Sequence, residues 1–117
     1  MKTILIVDDS ASIRQAVTTV LTSAGFEVVP CADGQEALAK LDGRKIHLII
    51  SDINMPVMDG ITMTRELKKM PLYKFTPVIM LTNEFAKDKE AGVAKAWVVK
   101  PFQQDQLLSA VTKLVLP

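Results

Sequence analysis

An α/β domain built on a doubly wound, five-stranded parallel sheet is the fold this sequence predicts, and three observations carry the prediction. Short apolar, β-branched runs alternate five times with segments of helical periodicity, at lengths that suit right-handed crossovers over both faces of a parallel sheet. Four of the runs are followed directly by polar residues, which gathers Asp8, Asp52, Thr82 and Lys100 at the ends of strands. The remaining run contains Pro30, which has no amide to donate and therefore belongs on a sheet edge.

The elements follow in order. Thr3 to Val7 reads as a fully buried strand closed by Asp8-Asp9-Ser10. Ile13, Ala16, Val17, Val20, Leu21 and Ala24 recur on one face of a helix that Asp9 or Ser10 caps and Gly25 ends. Phe26 to Cys31 is the second strand. Asp33-Gly34 turns into a short helix over Gln35 to Leu41, with Ala37, Leu38 and Leu41 toward the sheet and Asp42-Gly43 as its stop. His47 through Ser51 is a third strand that delivers Asp52 to its end, before a loop punctuated by Pro56 and Gly60.

Asp59 is placed to cap a third helix, Gly60 to Met70, whose inner side is Ile61, Met63, Thr64, Leu67 and Met70 and whose stop is Pro71. Pro77 to Leu81 is the fourth strand, ending at Thr82; a weak helix from Glu84 to Ala91 and a strand from Ala96 to Val99 follow, then Lys100-Pro101. Gln103 to Val115 is the last helix, with Leu107, Leu108, Val111, Leu114 and Val115 along one side. With the second strand at an edge, the order 2-1-3-4-5 of flavodoxin-like (βα)5 domains fits, and its switch point lies between the strands that end in Asp8-Asp9 and Asp52.

At 117 residues the chain suits one domain spanning residues 1–117. Its 14 basic and 13 acidic residues nearly cancel, so no global field draws in nucleic acid or an anionic membrane. The N-terminal apolar run is too short for a signal peptide or a membrane span, and the single cysteine, Cys31, has no internal partner and reads as a small buried hydrophobe. A soluble, cytoplasmic, monomeric protein is the simplest expectation. His47 sits at the far end of its strand and reads as exposed; Lys68-Lys69 reads as a solvated helix face, and Lys87, Lys89 and Lys95 as a weak candidate for a partner surface.

The chemistry is concentrated on one rim: Asp8 and Asp9, Asp52, Thr82 and Lys100. Alone, each has a bland explanation: turn and cap, surface hydroxyl, solvated ammonium. Together they make an arrangement in which adjacent carboxylates would raise one another's pKa unless a cation holds them ionised. Magnesium, which prefers oxygen ligands and bridges carboxylates to phosphate, suits that role. A carboxylate there can act as a nucleophile toward phosphorus, with magnesium and a lysine neutralising charge and a threonine hydroxyl donating to a phosphate oxygen.

Ile6-Val7-Asp8-Asp9-Ser10, Asp52-Ile53-Asn54-Met55-Pro56 with Asp59-Gly60, Val78-Ile79-Met80-Leu81-Thr82, and Trp97-Val98-Val99-Lys100-Pro101-Phe102 together make the chain resemble the response-regulator receiver domain, of the chemotaxis type, CheY-like, over essentially its whole length. The resemblance implies that Asp52 accepts a phosphoryl group from a phosphohistidine on a CheA-like sensor histidine kinase. It implies Mg2+ held by Asp9, Asp52 and the Asn54 backbone carbonyl, with Asp8 acting partly through water, and Thr82 and Lys100 on the phosphoryl oxygens. It implies further that Thr82 and Trp97 shift together on phosphorylation, that Asn54 and Glu84 modulate hydrolysis, that Lys100-Pro101 is cis, and that a flagellar switch protein and a phosphatase are partners. Primarily this would be a switch, not an enzyme.

Two departures stand out. Asn83 replaces the small residue or threonine usual in chemotaxis-type relatives, and the Thr82 to Lys100 interval is shorter than the family pattern by about four residues, roughly one helical turn. A shortened or displaced fourth helix is therefore expected. Among other functions, an aspartyl-phosphate hydrolase would want an acid where Ser10 stands, and an FMN binder would not place Asp8 and Asp9 against a phosphate. A receiver-derived interaction module or engineered scaffold with altered or lost output is the alternative that the short interval suggests.

Overall fold

Continuously apolar five-residue runs bury themselves by pairing on both sides, and here they do so in register. A computed structural model of the chain describes residues 1–82 and 94–116. Its elements are β1 (Thr3–Val7), α1 (Ala11–Ser23), β2 (Glu27–Cys31), α2 (Gly34–Lys40), β3 (Leu48–Asp52), α3 (Gly60–Leu67), β4 (Val78–Thr82), β5 (Ala96–Val99) and α4 (Gln104–Leu114). The helix expected over residues 84–91, and with it the question of its length, lies outside the described residues, as do Asn83, Glu84, Lys87 and Lys89.

All four strand pairings are parallel and the sheet order is β2-β1-β3-β4-β5, the flavodoxin-like order the sequence predicts. Pro30, opposite Ile6, sits on the edge strand and is exposed, so the missing amide interrupts no central ladder. Strand alternation divides the core between the two faces. Ile4, Ile6, Ile50, Ile79 and Leu81 pack under α1 and α4, through Val17, Leu21, Leu107 and Val111. Leu5, Val7, Ile49, Val78 and Met80 pack under α2 and α3, through Ala37, Met63 and Leu67. Each fully buried Ile, Leu or Val contributes about 1.5–3 kcal/mol, which is why β3 and β4, buried along their whole length, anchor the sheet.

Three successive strand-to-helix turns use the same start signal. Ser10, Asp33 and Asp59 each accept the amide of the residue three further on, at 3.3, 2.8 and 2.8 Å. A capping box between Gln103 and Gln106 opens α4. Gly25, at φ 94°, turns the chain out of α1.

Three expectations are corrected by packing. Ala16 is exposed, because the buried stripe of α1 narrows to Val17 and Leu21 with Ile13, Val20 and Ala24 beside it. Lys68 is not solvated; its ammonium reaches across to donate to the Thr76 carbonyl at 2.9 Å, while Lys69 stays exposed beside Glu66. His47 is half-buried, and two bonds tie it to β1: its amide donates to the Thr3 carbonyl at 2.9 Å, and its Nδ1 accepts the Thr3 amide at 3.0 Å. Tyr73, which the sequence did not single out, is buried, accepts the Gly43 amide at 2.9 Å and donates to the Arg44 carbonyl at 2.7 Å.

Burial, aided by the nearby Lys2 and Lys45 charges, lowers the His47 pKa from its ordinary 6.5. The unfolded chain then binds the proton more readily than the folded one, so stability is full above about pH 6.5 and drains away as the pH falls toward the lowered folded value. Urea titrations between about pH 7.5 and 5.5 are expected to show this loss, and His47→Asn, whose side-chain oxygen keeps the acceptor without titrating, is expected to flatten it.

Candidate functional site

Register and alternation bring the rim together. Ile6 lies opposite Ile50, so two positions further along Asp8 and Asp52 emerge on one side of the sheet. Leu81 pairs with both Asp52 and Val98, and Lys100, two beyond Val98, comes up on that same side. The Lys100 ammonium stands 3.0 Å from Asp8 Oδ2 and 3.4 Å from Asp52 Oδ2. Its backbone is fixed too, because the Lys100 amide donates to the Thr82 carbonyl at 2.6 Å. The Lys100–Pro101 peptide is cis, as the family resemblance implies.

Asp8 is fully buried and Asp52 nearly so, whereas Asp9 is exposed at the lip. Ligand oxygens of Asp8, Asp9 and Asp52 lie within 4.8 Å of one another. The second oxygen of Asp8 accepts the Ser10 amide at 2.9 Å, and that of Asp52 accepts the Ile53 amide at 2.8 Å. Burial pushes the Asp52 carboxyl above the usual carboxylate range; the Lys100 charge opposes this and the Asp8 charge adds to it. A hard divalent cation would relieve the same repulsion, and the donor set, carboxylate oxygens only, fits Mg2+ better than a softer metal.

Thr82 and Trp97 occupy the other side of the sheet. Met80 pairs with Trp97 and Thr82 with Val99, so the threonine and the indole are diagonal neighbours on the face that carries Met80. Trp97 is half-buried and Thr82 buried. Asn54 is exposed at the start of the loop after β3.

A family model, the response regulator receiver domain, matches residues 4–112. This chain belongs to that family. The receiver domain is CheY-like: the solved chemotaxis protein CheY4 of Vibrio cholerae is 44% identical, with a TM-score of 0.93, over 98% of this chain and 99% of that one. Chemotaxis protein CheY of Bacillus subtilis is 38% identical, over 94% of each chain. Response regulator TrrA of Thermotoga maritima, solved with Mg(2+)-BeF and also in complex with histidine kinase ThkA, is 35% identical over 98% of this chain and 100% of its own, with a TM-score of 0.88. The chain also matches longer proteins and spans 48% of a probable transcriptional regulator, ycf27, of Cyanophora paradoxa.

The receiver rim contains contacts that the sequence reading missed. Arg14, one turn into α1, donates from Nη1 to the Asp8 carbonyl at 2.6 Å, a contact that its helical position alone does not reveal. The loop after β3 holds a three-residue turn, with the Met58 amide donating to the Pro56 carbonyl at 2.7 Å around Val57 at φ 70°. A β-branched residue there costs about 1–3 kcal/mol. The Gly34 amide holds the turn from outside, donating to the Met58 carbonyl at 3.3 Å. Cys31 is buried and free of a disulfide, and burial first, with Glu36 next, pushes its thiol up to about 11.

Gly60 closes the frame. Its amide donates to the Ile53 carbonyl at 2.8 Å, and a β-carbon there would run into the Asp52 carbonyl oxygen and lie 2.9 Å from Ser51 Oγ. Gly60→Ala is therefore expected to destabilise the domain by about 1–3 kcal/mol, read as a lower urea midpoint with an unchanged slope.

Proposed function

We propose that this receiver domain is a phosphorylation-activated switch of two-component signalling in which Asp52 accepts a phosphoryl group from a phosphohistidine of a CheA-like sensor histidine kinase. The observation that carries the reading is the placement of Asp52, nearly buried at the strand end, with Lys100 at 3.4 Å and the Asp8 and Asp9 oxygens within 4.8 Å. The TrrA complexes with Mg(2+)-BeF and with a histidine kinase support it.

In the transfer, an Asp52 carboxylate oxygen attacks phosphorus in line, the P–N bond breaks, and its electron pair returns to the imidazole of the kinase. Asp8, Asp9, Asp52 and the Asn54 backbone carbonyl would hold Mg2+, which supplies charge neutralisation at the phosphoryl oxygens. Lys100, now shared by two carboxylates, turns toward an equatorial phosphoryl oxygen. Thr82 donates from the opposite side, and its movement is transmitted to Trp97, its neighbour on the same sheet face. Hydrolysis of the acyl phosphate resets the switch, which makes the domain a signalling element with self-limiting chemistry, not an enzyme in the ordinary sense. Likeness to chemotaxis proteins CheY4 and CheY supports a role in chemotaxis, with a flagellar switch protein and a phosphatase as partners. The short Thr82 to Lys100 interval favours one second reading, an interaction module that keeps the acceptor chemistry but has altered output.

Acetyl phosphate with Mg2+ is expected to add one phosphoryl group to the wild-type protein, detected by intact-mass measurement, and none to Asp52→Asn or to the chelated wild type. Equal labelling of Asp52→Asn would remove Asp52 as acceptor. Beryllofluoride with Mg2+ is expected to change Trp97 fluorescence in the wild type and not in Asp52→Asn. An unchanged signal despite calorimetric evidence of binding would disconnect the indole from the site and favour the altered-output reading.

A further inference from the structure

The opposite end of the sheet, where the strands begin, differs in chemistry from the acidic rim. Three clefts of about 630, 400 and 410 Å³ adjoin there. The first and second share His47, and the second and third share Gly43, Leu72 and Tyr73, so they form one groove from the end of α4 to the turn after α3. Lys2, Lys113, Arg44, Lys45 and Lys69 line it, against a single carboxylate side chain among the described residues, Asp42, which Arg44 already engages at 3.1 Å. Lys69 has Glu66 beside it. No ion pair among the described residues involves Lys2, Lys45 or Lys113.

Most of the large apolar side chains that the fold leaves uncovered are at the same end, Val57 on the rim being the exception among the described residues. Leu72 is 73% exposed, Phe75 85% and Leu116 69%. Leu72 and Leu116 are themselves groove walls, with Pro77, Ile46 and Leu114 beneath. Surface basic charge is ordinary by itself, and so is a lone exposed leucine. Uncompensated ammonium groups interleaved with exposed leucines along one concave path are complementary to a particular chemistry: carboxylates for the lysines, apolar anchors for the clefts.

We propose that this groove docks an acidic amphipathic segment of a partner protein, at the pole of the domain opposite Asp52. Its concavity favours a peptide chain over a bilayer, which would lie against a convex surface. Docking there leaves the phosphoryl rim open, so a partner could be held whatever the state of Asp52. The site is independent of the phosphorylation reading, since none of its residues takes part in the acceptor chemistry.

The test uses a short fluorescent peptide of Glu, Leu and Phe and a control of Glu and Ser with the same charge, read by anisotropy and by amide chemical shifts of the full chain. Binding of the apolar-acidic peptide is expected, with shifts over residues 43–47, 72–77 and 112–116. Weakening by at least about tenfold is expected in the triple variant Lys2→Glu, Lys45→Glu, Lys113→Glu, and again in Leu72→Ser with Leu116→Ser. Circular dichroism and acetyl phosphate labelling at Asp52 check that each variant folds. Absence of binding, equal binding of the control peptide, shifts centred on the Asp52 rim, or full affinity in a folded triple variant would each overturn the proposal. So would co-sedimentation with phosphatidylserine vesicles in place of peptide binding, which would assign the groove to membrane.

Discussion

The Lys100 ammonium, shared at 3.0 and 3.4 Å between Asp8 and Asp52, is the interaction on which the acidic rim depends. Two carboxylates out of water and side by side repel strongly, and removing the cation that lies between them among the described residues would leave that repulsion uncompensated. Such a buried pair is weak as a source of net stability, because desolvation offsets much of the attraction. Its value here is geometric: it joins residues 92 positions apart in sequence and fixes the mouth of the sheet. It also leaves a rim whose charge balance a second cation can complete.

The frame around that rim is built from close approaches. Gly60 lets the start of α3 sit against the Asp52 carbonyl, and Gly34 lets the start of α2 sit against Met58. Between them, Val57 is held in a left-handed conformation that a β-branched residue does not choose freely. The turn survives because it is fastened at both ends, by Gly34 to Met58 and by Gly60 to Ile53. Backbone strain in the loop after β3 is therefore maintained by hydrogen bonds to the starts of α2 and α3, not by local preference.

A parallel sheet has two chemically distinct ends, since every strand runs the same way and every strand-to-helix turn collects at one of them. Caps and carboxylates gather at that end: Ser10, Asp33 and Asp59 start helices there while Asp8 and Asp52 face the opening. Lysines and uncovered leucines gather at the other. The two poles are joined by a sheet whose central strands β3 and β4 are buried along their whole length, and the two surfaces share no residues.

Much of this was legible in the sequence, because periodicity and punctuation are local. The five strands, the edge position forced by Pro30, the cap at Asp59, a cap at Asp9 or Ser10 that the structure assigns to Ser10, and the polar residues at the strand ends can all be read from neighbours in the chain. Local reading failed where a side chain's fate was set by something distant. His47 gained Thr3 as a partner, Lys68 gained Thr76, Tyr73 spanned two loops, and Arg14 reached back to Asp8. The sequence by itself determined which carboxylates stand at strand ends. Only the tertiary structure decided that Asp8, Asp52 and Lys100 share one side of the sheet and Thr82 and Trp97 the other, because register between strands, not residue type, sets which side chains meet.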